Sequence, residues 1–333
     1  MYYDYLMLPP SPVKPLASWK GQDRYFGHVE TSLTGIFLSG GCSWNRCRMC
    51  GYKNDRNSCA SREELISHMQ AQVSWMQENF SPEEFTLGKI FTSGSVLDPH
   101  EVPQEVLVSF GELFAGKPLI AESRAEYVTE ENLARFLSVL DCGHPHPLTI
   151  AIGLETTDDA IREKSIDKGF SFVDFIRAAD AAHDAGVGIK AYLMMKPLFL
   201  TEQEALSDMQ KSIAEVVPYA DMISMNLCTV QGRTELEQYW QRGAFRPPYL
   251  WSAVKVLLDA EVPVACDPVG GGFRRGPHNC GGCDKEIVAA INAYSLSGDK
   301  AVLQEIWDTG CSCRKEWEYV LEHEMPWNMP LTE

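Results

Sequence analysis

The 333-residue chain has no apolar run near the ~18 residues of a membrane span; its densest short stretches are Leu148–Leu154 and Tyr192–Met195. Met1 to Leu16 lack the basic-then-apolar order of a secretion signal and carry Asp4 and several prolines instead. These absences predict a soluble, cytoplasmic protein with no membrane partner. Positive charge is scarce: 29 Lys and Arg face 46 Asp and Glu, a net −17. That balance disfavours broad nonspecific binding of polyanions. No predicted strand runs through Gly-x-Gly-x-x-Gly into a helix, which removes the dinucleotide-binding reading. Repeats and low-complexity segments are also missing.

What is present is ample material for a core, with 45% hydrophobic residues including 8 Trp, 14 Phe and 12 Tyr. Charge is uneven: residues 1–60 hold seven Lys or Arg against four Asp or Glu, leaving −20 on the remainder. An anionic partner would therefore dock near that first segment or Arg274-Arg275, or be delivered by another protein.

From Thr34 onward, short apolar runs alternate with helical periodicity, the pattern of repeated βα units. Strands are predicted at Gly35–Ser39, Lys89–Ser93, Leu119–Ser123, Leu148–Leu154, Gly188–Met195, Met222–Leu227 and Val262–Cys266. Helix starts are legible at the capping boxes Ser61–Glu64 and Thr201–Glu204, at Ser81-Pro82, at Thr129 and at Ser171, with a further helix over Pro248–Leu258. Such a series predicts an α/β fold, a complete or partial βα barrel whose chemistry sits at the C-terminal strand ends. The division expected is an N-terminal extension over 1–33, a barrel over 34–267, and a small Cys-rich C-terminal appendage over 268–333.

Eleven cysteines, at 42, 47, 50, 59, 142, 228, 266, 280, 283, 311 and 313, are the strongest signal. Clustered cysteines in a reducing compartment indicate metal, whereas the scattered Cys59, Cys142, Cys228 and Cys266 read as small buried hydrophobes. Cys42, Cys47 and Cys50 share one loop after the first predicted strand, which suits three irons of a [4Fe–4S] cluster with the fourth left open; a zinc knuckle with a remote ligand is the rival. Cys280, Cys283, Cys311 and Cys313 form a four-thiolate pattern for Zn2+, with an auxiliary iron–sulfur cluster as alternative, and His278 could replace one thiolate. Lys164, Lys168, Lys190 and Arg162 are candidate carboxylate holders, and Lys196, Asn226 and Arg233 are barrel-mouth candidates by position alone.

The loop Gly40-Gly-Cys-Ser-Trp-Asn-Arg-Cys-Arg-Met-Cys-Gly-Tyr52 at this place resembles the radical S-adenosylmethionine superfamily, although its Cys-x4-Cys-x2-Cys spacing departs from the common Cys-x3-Cys-x2-Cys. Ser93, Gly94 and Ser95 stand where that superfamily holds the methionine ammonium. Glu122-Ser-Arg124-Ala-Glu126 is similar to a segment of Elp-type tRNA-modifying enzymes, and Glu155 resembles a residue near the ribose and methionine carboxylate. Together with Gly94–Asp98 and Ala151–Thr156, the tryptophan-bearing loop is similar to the radical-subunit family of archaeosine synthase, over about Thr34 to Arg314. The resemblance implies S-adenosylmethionine bound by Ser93, Gly94, Ser95, Glu122, Arg124 and Glu155, a set that Lys168 joins by its position near the strand ends. It implies a lyase acting on tRNA that bears a lysine adduct of 7-deazaguanine, cleaving a C–N bond to form archaeosine. Implied partners are the lysine-transferring subunit and an electron donor. Another radical tRNA modification, or a non-enzymatic iron–sulfur and zinc scaffold, are the alternatives.

Overall fold

A computed structural model describes residues 13–57 and 59–325. The calls at residues 1–12 and 326–333, the ends of the expected extension and appendage, lie outside the described residues. The centre is one eight-stranded sheet in sequential order, nearly closed as a barrel: β1 (Ala17–Tyr25), β2 (His28–Ile36), β3 (Leu87–Phe91), β4 (Leu119–Ser123), β5 (Leu148–Glu155), β6 (Gly188–Met195), β7 (Met222–Leu227) and β8 (Val264–Asp267). All neighbours from β2 to β8 run parallel, and β1 pairs antiparallel with β2. The helix Asp284–Ser297 packs against both β8 and β1, the two ends of the strand order.

The strands after β2 fall close to their predicted places, because each is a short, mainly apolar run between turn signals. The hairpin is the difference. β1 reads Ala-Ser-Trp-Lys-Gly-Gln-Asp-Arg-Tyr, too polar to signal a strand, and the first parallel strand ends at Ile36 where the sequence pattern suggests Gly35–Ser39. Part of the stretch before residue 34 thus forms the edge of the sheet. The helix expected after Ser81 is a single 3-10 turn, Pro82–Glu84. The other predicted helices form: Arg62–Asn79 buries Leu65, Met69, Val73 and Met76, and the boxes at Ser171 and Thr201 close as expected.

Strict alternation sorts the side chains. The outer faces are apolar against the helices, with Ile150, Ile152 and Leu154 of β5 and Ile189, Ala191, Leu193 and Met195 of β6 in the main core. The opposite face carries Lys89, Glu122, Glu155, Lys190, Tyr192, Ser224, Asn226 and Asp267, so the barrel lumen is polar and charged.

One buried acid among the helices gives a pH expectation. Asp208 accepts a hydrogen bond from Thr156 Oγ1 at 2.7 Å, yet burial pushes its carboxyl up to about 6. The folded protein then holds a proton that the unfolded chain releases. Stability falls as pH rises from about 4 to about 6, by at most ~3 kcal/mol. Asp208→Asn keeps the acceptor oxygen and should flatten this slope in urea titrations at stepped pH; an unchanged slope would assign it elsewhere.

Candidate functional site

The cysteine loop leaves β2 and crosses the C-terminal strand ends, where other loops pin it. Arg48 N donates to Ile166 O at 3.0 Å, Trp44 Nε1 donates to Asp167 O, and Gly51 N donates to Gln231 Oε1. Arg48 Nη1 also donates to both carboxylate oxygens of Glu235, at 2.7 and 2.8 Å. On the other side Ser43 bonds Asp98, and Ser93 Oγ donates to Asp55 O. The loops after β3, β5 and β7 thereby fix one loop that no single neighbour could hold.

The Thr92–Ser95 turn lies directly beneath it. A Cβ on Gly94 would sit 2.7 Å from Cys42 Cβ and 2.8 Å from Cys42 Cα, so only glycine admits this approach. Glu101, buried and without a sequence signal of its own, accepts from Ser39 Oγ at 2.7 Å and Ser95 N at 2.6 Å. Ser95 Oγ in turn accepts from Arg124 N at 3.1 Å, joining the turn to the end of β4.

Charge converges on the same mouth. Lys168 Nζ donates to Glu155 Oε1 at 2.7 Å, and Arg124 Nη2 donates to Lys168 O at 2.8 Å. Arg124 packs its guanidinium over Trp44 and Phe170. Glu155 takes a left-handed backbone, φ 70°, at a register shift in β5, a conformation that a non-glycine residue holds only under constraint. Burial, with Glu155 and Glu101 nearby, pushes the Glu122 carboxyl up to about 7 against the pull of Lys168. Burial also raises the Cys47 thiol, while Lys168 and Arg124 pull it down. Thus Cys47, Glu122, Arg124, Glu155 and Lys168 form one electrostatic unit, which the sequence places on three separate segments.

This donor set fits an iron–sulfur group. Three thiols on one pinned loop, flanked by two cations, offset the negative charge that thiolates bring together.

Other candidates lie elsewhere. Lys196 is 2% exposed and already bonds Glu202 at 2.8 Å and Glu324 at 3.3 Å, so its ammonium ties the C-terminal segment to the barrel. Arg162 is consumed by Thr156 O, Phe170 O and Asp159. Arg233 is exposed near Asp55. Cys228 and Cys266 are buried as expected, but Cys59 and Cys142 are only half-buried, and Cys59 Sγ lies 3.3 Å from His68 Nδ1.

The second cysteine set closes as a cage. Sγ atoms of Cys280 and Cys283 are 3.9 Å apart, Cys280 and Cys311 3.8 Å, and Cys283 and Cys313 3.6 Å, and all four can hold a metal ion. A tetrahedron of ~2.3 Å metal–sulfur bonds has edges of about 3.8 Å, whereas a four-iron cluster binds each thiolate to a different iron and spreads them further. The spacing fits a single ion held by the four thiolates. Trp251 Nε1 donates to Cys313 Sγ at 3.4 Å, and His278 stands outside the cage with Nδ1 2.7 Å from Gly276 O.

No protein-family model matches the chain. Archaeosine synthase subunit beta of Methanosarcina acetivorans is 42% identical over 96% of this chain and 93% of that protein. The chain belongs to the archaeosine synthase subunit beta family. The Thermococcus kodakarensis subunit beta is 34% identical, over 92% of this chain and 96% of that protein. A queuine lyase from Clostridium spiroforme, solved with SAM and queuine, has TM-score 0.48 and 16% identity over 67% of this chain and 87% of its own. The kinship with archaeosine synthase, drawn above from motifs, is borne out.

The pinning of the loop is testable. Gly169 has φ +80°, and a Cβ there would lie 2.2 Å from the Trp44 indole. Gly169→Ala should therefore cost roughly 1–3 kcal/mol in backbone strain alone, displace Trp44, and lower the iron retained after anaerobic reconstitution. Full iron content with an unchanged unfolding midpoint would show that Trp44 does not anchor the loop.

Proposed function

We propose that the chain is a radical S-adenosylmethionine lyase that cleaves a C–N bond of a lysine adduct on 7-deazaguanine in tRNA, forming archaeosine. The observation that carries this reading is the convergence of the Cys42–Cys50 loop, the Gly94 turn and the Glu122, Arg124, Glu155 and Lys168 charges at one barrel mouth, in a member of the archaeosine synthase family. Cys42, Cys47 and Cys50 would hold a [4Fe–4S] cluster with one iron open. Ser93, Gly94 and Ser95, with Glu122, Arg124, Glu155 and Lys168, would bind S-adenosylmethionine. When bound and reduced, this pair supplies a carbon radical that can take hydrogen from an unactivated C–H bond.

The chain's residues position and shield. Lys168 and Glu155, bonded to one another, can each be recruited by the opposite charge of a zwitterion. Glu122, held up near neutrality, can present a protonated carboxyl or a carboxylate. Trp44, packed against Arg124 and bonded to Asp167 O, would shield the loop side. The substrate carbon must lie about 3–4 Å from the attacking carbon, which rigid strand-end residues secure better than mobile loops.

Zn2+ at Cys280, Cys283, Cys311 and Cys313 would staple the C-terminal helices to the barrel. The surplus of negative charge supports delivery of tRNA by the lysine-transferring subunit, with weak affinity of this chain alone at physiological salt. An electron donor completes the set of partners. The test is lysine-adduct tRNA deuterated at the carbon beside the bond to be broken. Deuterium should appear in 5′-deoxyadenosine as archaeosine forms; archaeosine with unlabelled 5′-deoxyadenosine would overturn this abstraction site.

A further inference from the structure

The lumen holds a second set of charges that the site at the mouth does not use. Lys89 Nζ donates to Asp23 Oδ1 at 2.7 Å, and Ser32 Oγ donates to the other oxygen of Asp23, so this pair is satisfied. Lys190, on the same face of the sheet, is 8% exposed, and its ammonium has no hydrogen-bond or ion-pair partner among the described residues. The Tyr192 ring lies 5.2 Å from Nζ. Asp267, the last residue of β8, also lacks a partner among the described residues, and is solvent-exposed.

Besides Glu122 and Glu155, which serve the mouth, four charges of the lumen stand within electrostatic range of one another: Lys89, Asp23, Lys190 and Asp267. Two cancel as an ion pair. One cation and one anion remain, Lys190 and Asp267, on strands separated by β7.

We propose that Lys190 and Asp267 form the receptor for the free zwitterionic end of an α-amino acid, Lys190 taking the carboxylate and Asp267 the ammonium. The inference rests on the lyase reading for its role, since the substrate's lysine would extend from the mouth into the lumen and place its α-carbon there. The charge count selects this ligand class. A phosphate or dicarboxylate would face Asp23 and Asp267 as well as Lys190, and a diamine would leave Lys190 opposed. A buried ammonium without a counterion is costly, and a ligand carboxylate supplies what the chain withholds. Desolvation and the neighbouring Lys89 already draw the Lys190 ammonium down to about 8, the expected condition of a cation awaiting its anion.

The experiment measures binding without turnover, by isothermal titration calorimetry on reconstituted, oxidised protein saturated with S-adenosylmethionine. L-Lysine is compared with cadaverine, which lacks the carboxylate, and with 6-aminohexanoate, which lacks the α-ammonium. L-Lysine should bind saturably and both analogues at least about tenfold more weakly, the loss of one charge-assisted contact. Lys190→Met should bring L-lysine to the level of cadaverine, and Asp267→Asn should bring it to that of 6-aminohexanoate. Equal binding of L-lysine and cadaverine by the unmodified protein would overturn the proposal, as would Lys190→Met with undiminished lysine affinity. The comparison of ligands on unmodified protein decides the matter even where a variant misfolds. Conversion of adduct tRNA is scored separately: lost turnover with intact, Lys190-dependent lysine binding would overturn the lyase reading and leave this site standing.

Discussion

Replacing Cys42, Cys47 or Cys50 by Ala is expected to abolish S-adenosylmethionine cleavage while leaving the fold and the C-terminal metal in place. Each alanine removes one of three thiolates that a single loop supplies, and no other cysteine lies within Gly40–Tyr52. Altering an outer partner of a metal ligand already costs about 10–100-fold, so loss of a ligand should exceed 100-fold. The loop itself is held independently, by Arg48 on Ile166 and Glu235 and by Gly51 on Gln231. Cluster loss is therefore separable from unfolding. The measurements are iron content after anaerobic reconstitution, 5′-deoxyadenosine formed per chain, and circular dichroism. Cleavage persisting in all three variants would remove the assignment.

Cys283→Ser should release the metal of the second cage and loosen the C-terminal helices without touching the first loop. Cys283 is buried and lies within 3.9 Å of Cys280 and 3.6 Å of Cys313, so one oxygen in its place opens the tetrahedron. The cage couples Cys280 and Cys283, ahead of the helix Asp284–Ser297, to Cys311 and Cys313, ahead of the helix Arg314–His323. That last helix buries only Trp317, whose Nε1 donates to Ser252 Oγ at 2.8 Å. With so little core of its own, the segment should depend on an ion held by the cage, whose loss should cost at least about 3 kcal/mol. Elemental analysis should find one zinc lost per chain, and tryptophan fluorescence should shift to the red as the packed Trp251, Trp307 and Trp317 rings separate. An iron–sulfur absorbance that disappears in this variant would instead reassign the ion, and unchanged metal content with an unchanged midpoint would refute the structural role.

The sequence by itself determined the periodic elements and the local ligand sets. β4 to β7 were legible because a strand of a parallel sheet is a short apolar run between breakers, and the helix starts because Ser61, Thr129, Ser171 and Thr201 cap locally. Both cysteine groups were legible because metal ligands recur at short spacing. The polar hairpin strand β1 was not, since its pairing energy comes from β2 rather than from its own pattern.

Only the tertiary structure decided which charges meet. Lys168, Lys190 and Lys196 look alike in sequence, yet one bonds Glu155 at the mouth, one stands in the lumen unpaired among the described residues, and one is buried against Glu202 and Glu324. Glu101, Asp167 and Gln231, which organise the cysteine loop, carry no motif of their own. The reason is range. Capping, strand alternation and chelate spacing act within a few residues, whereas the electrostatics of a site depends on side chains brought together from strands a hundred residues apart, with burial deciding how strongly they feel one another.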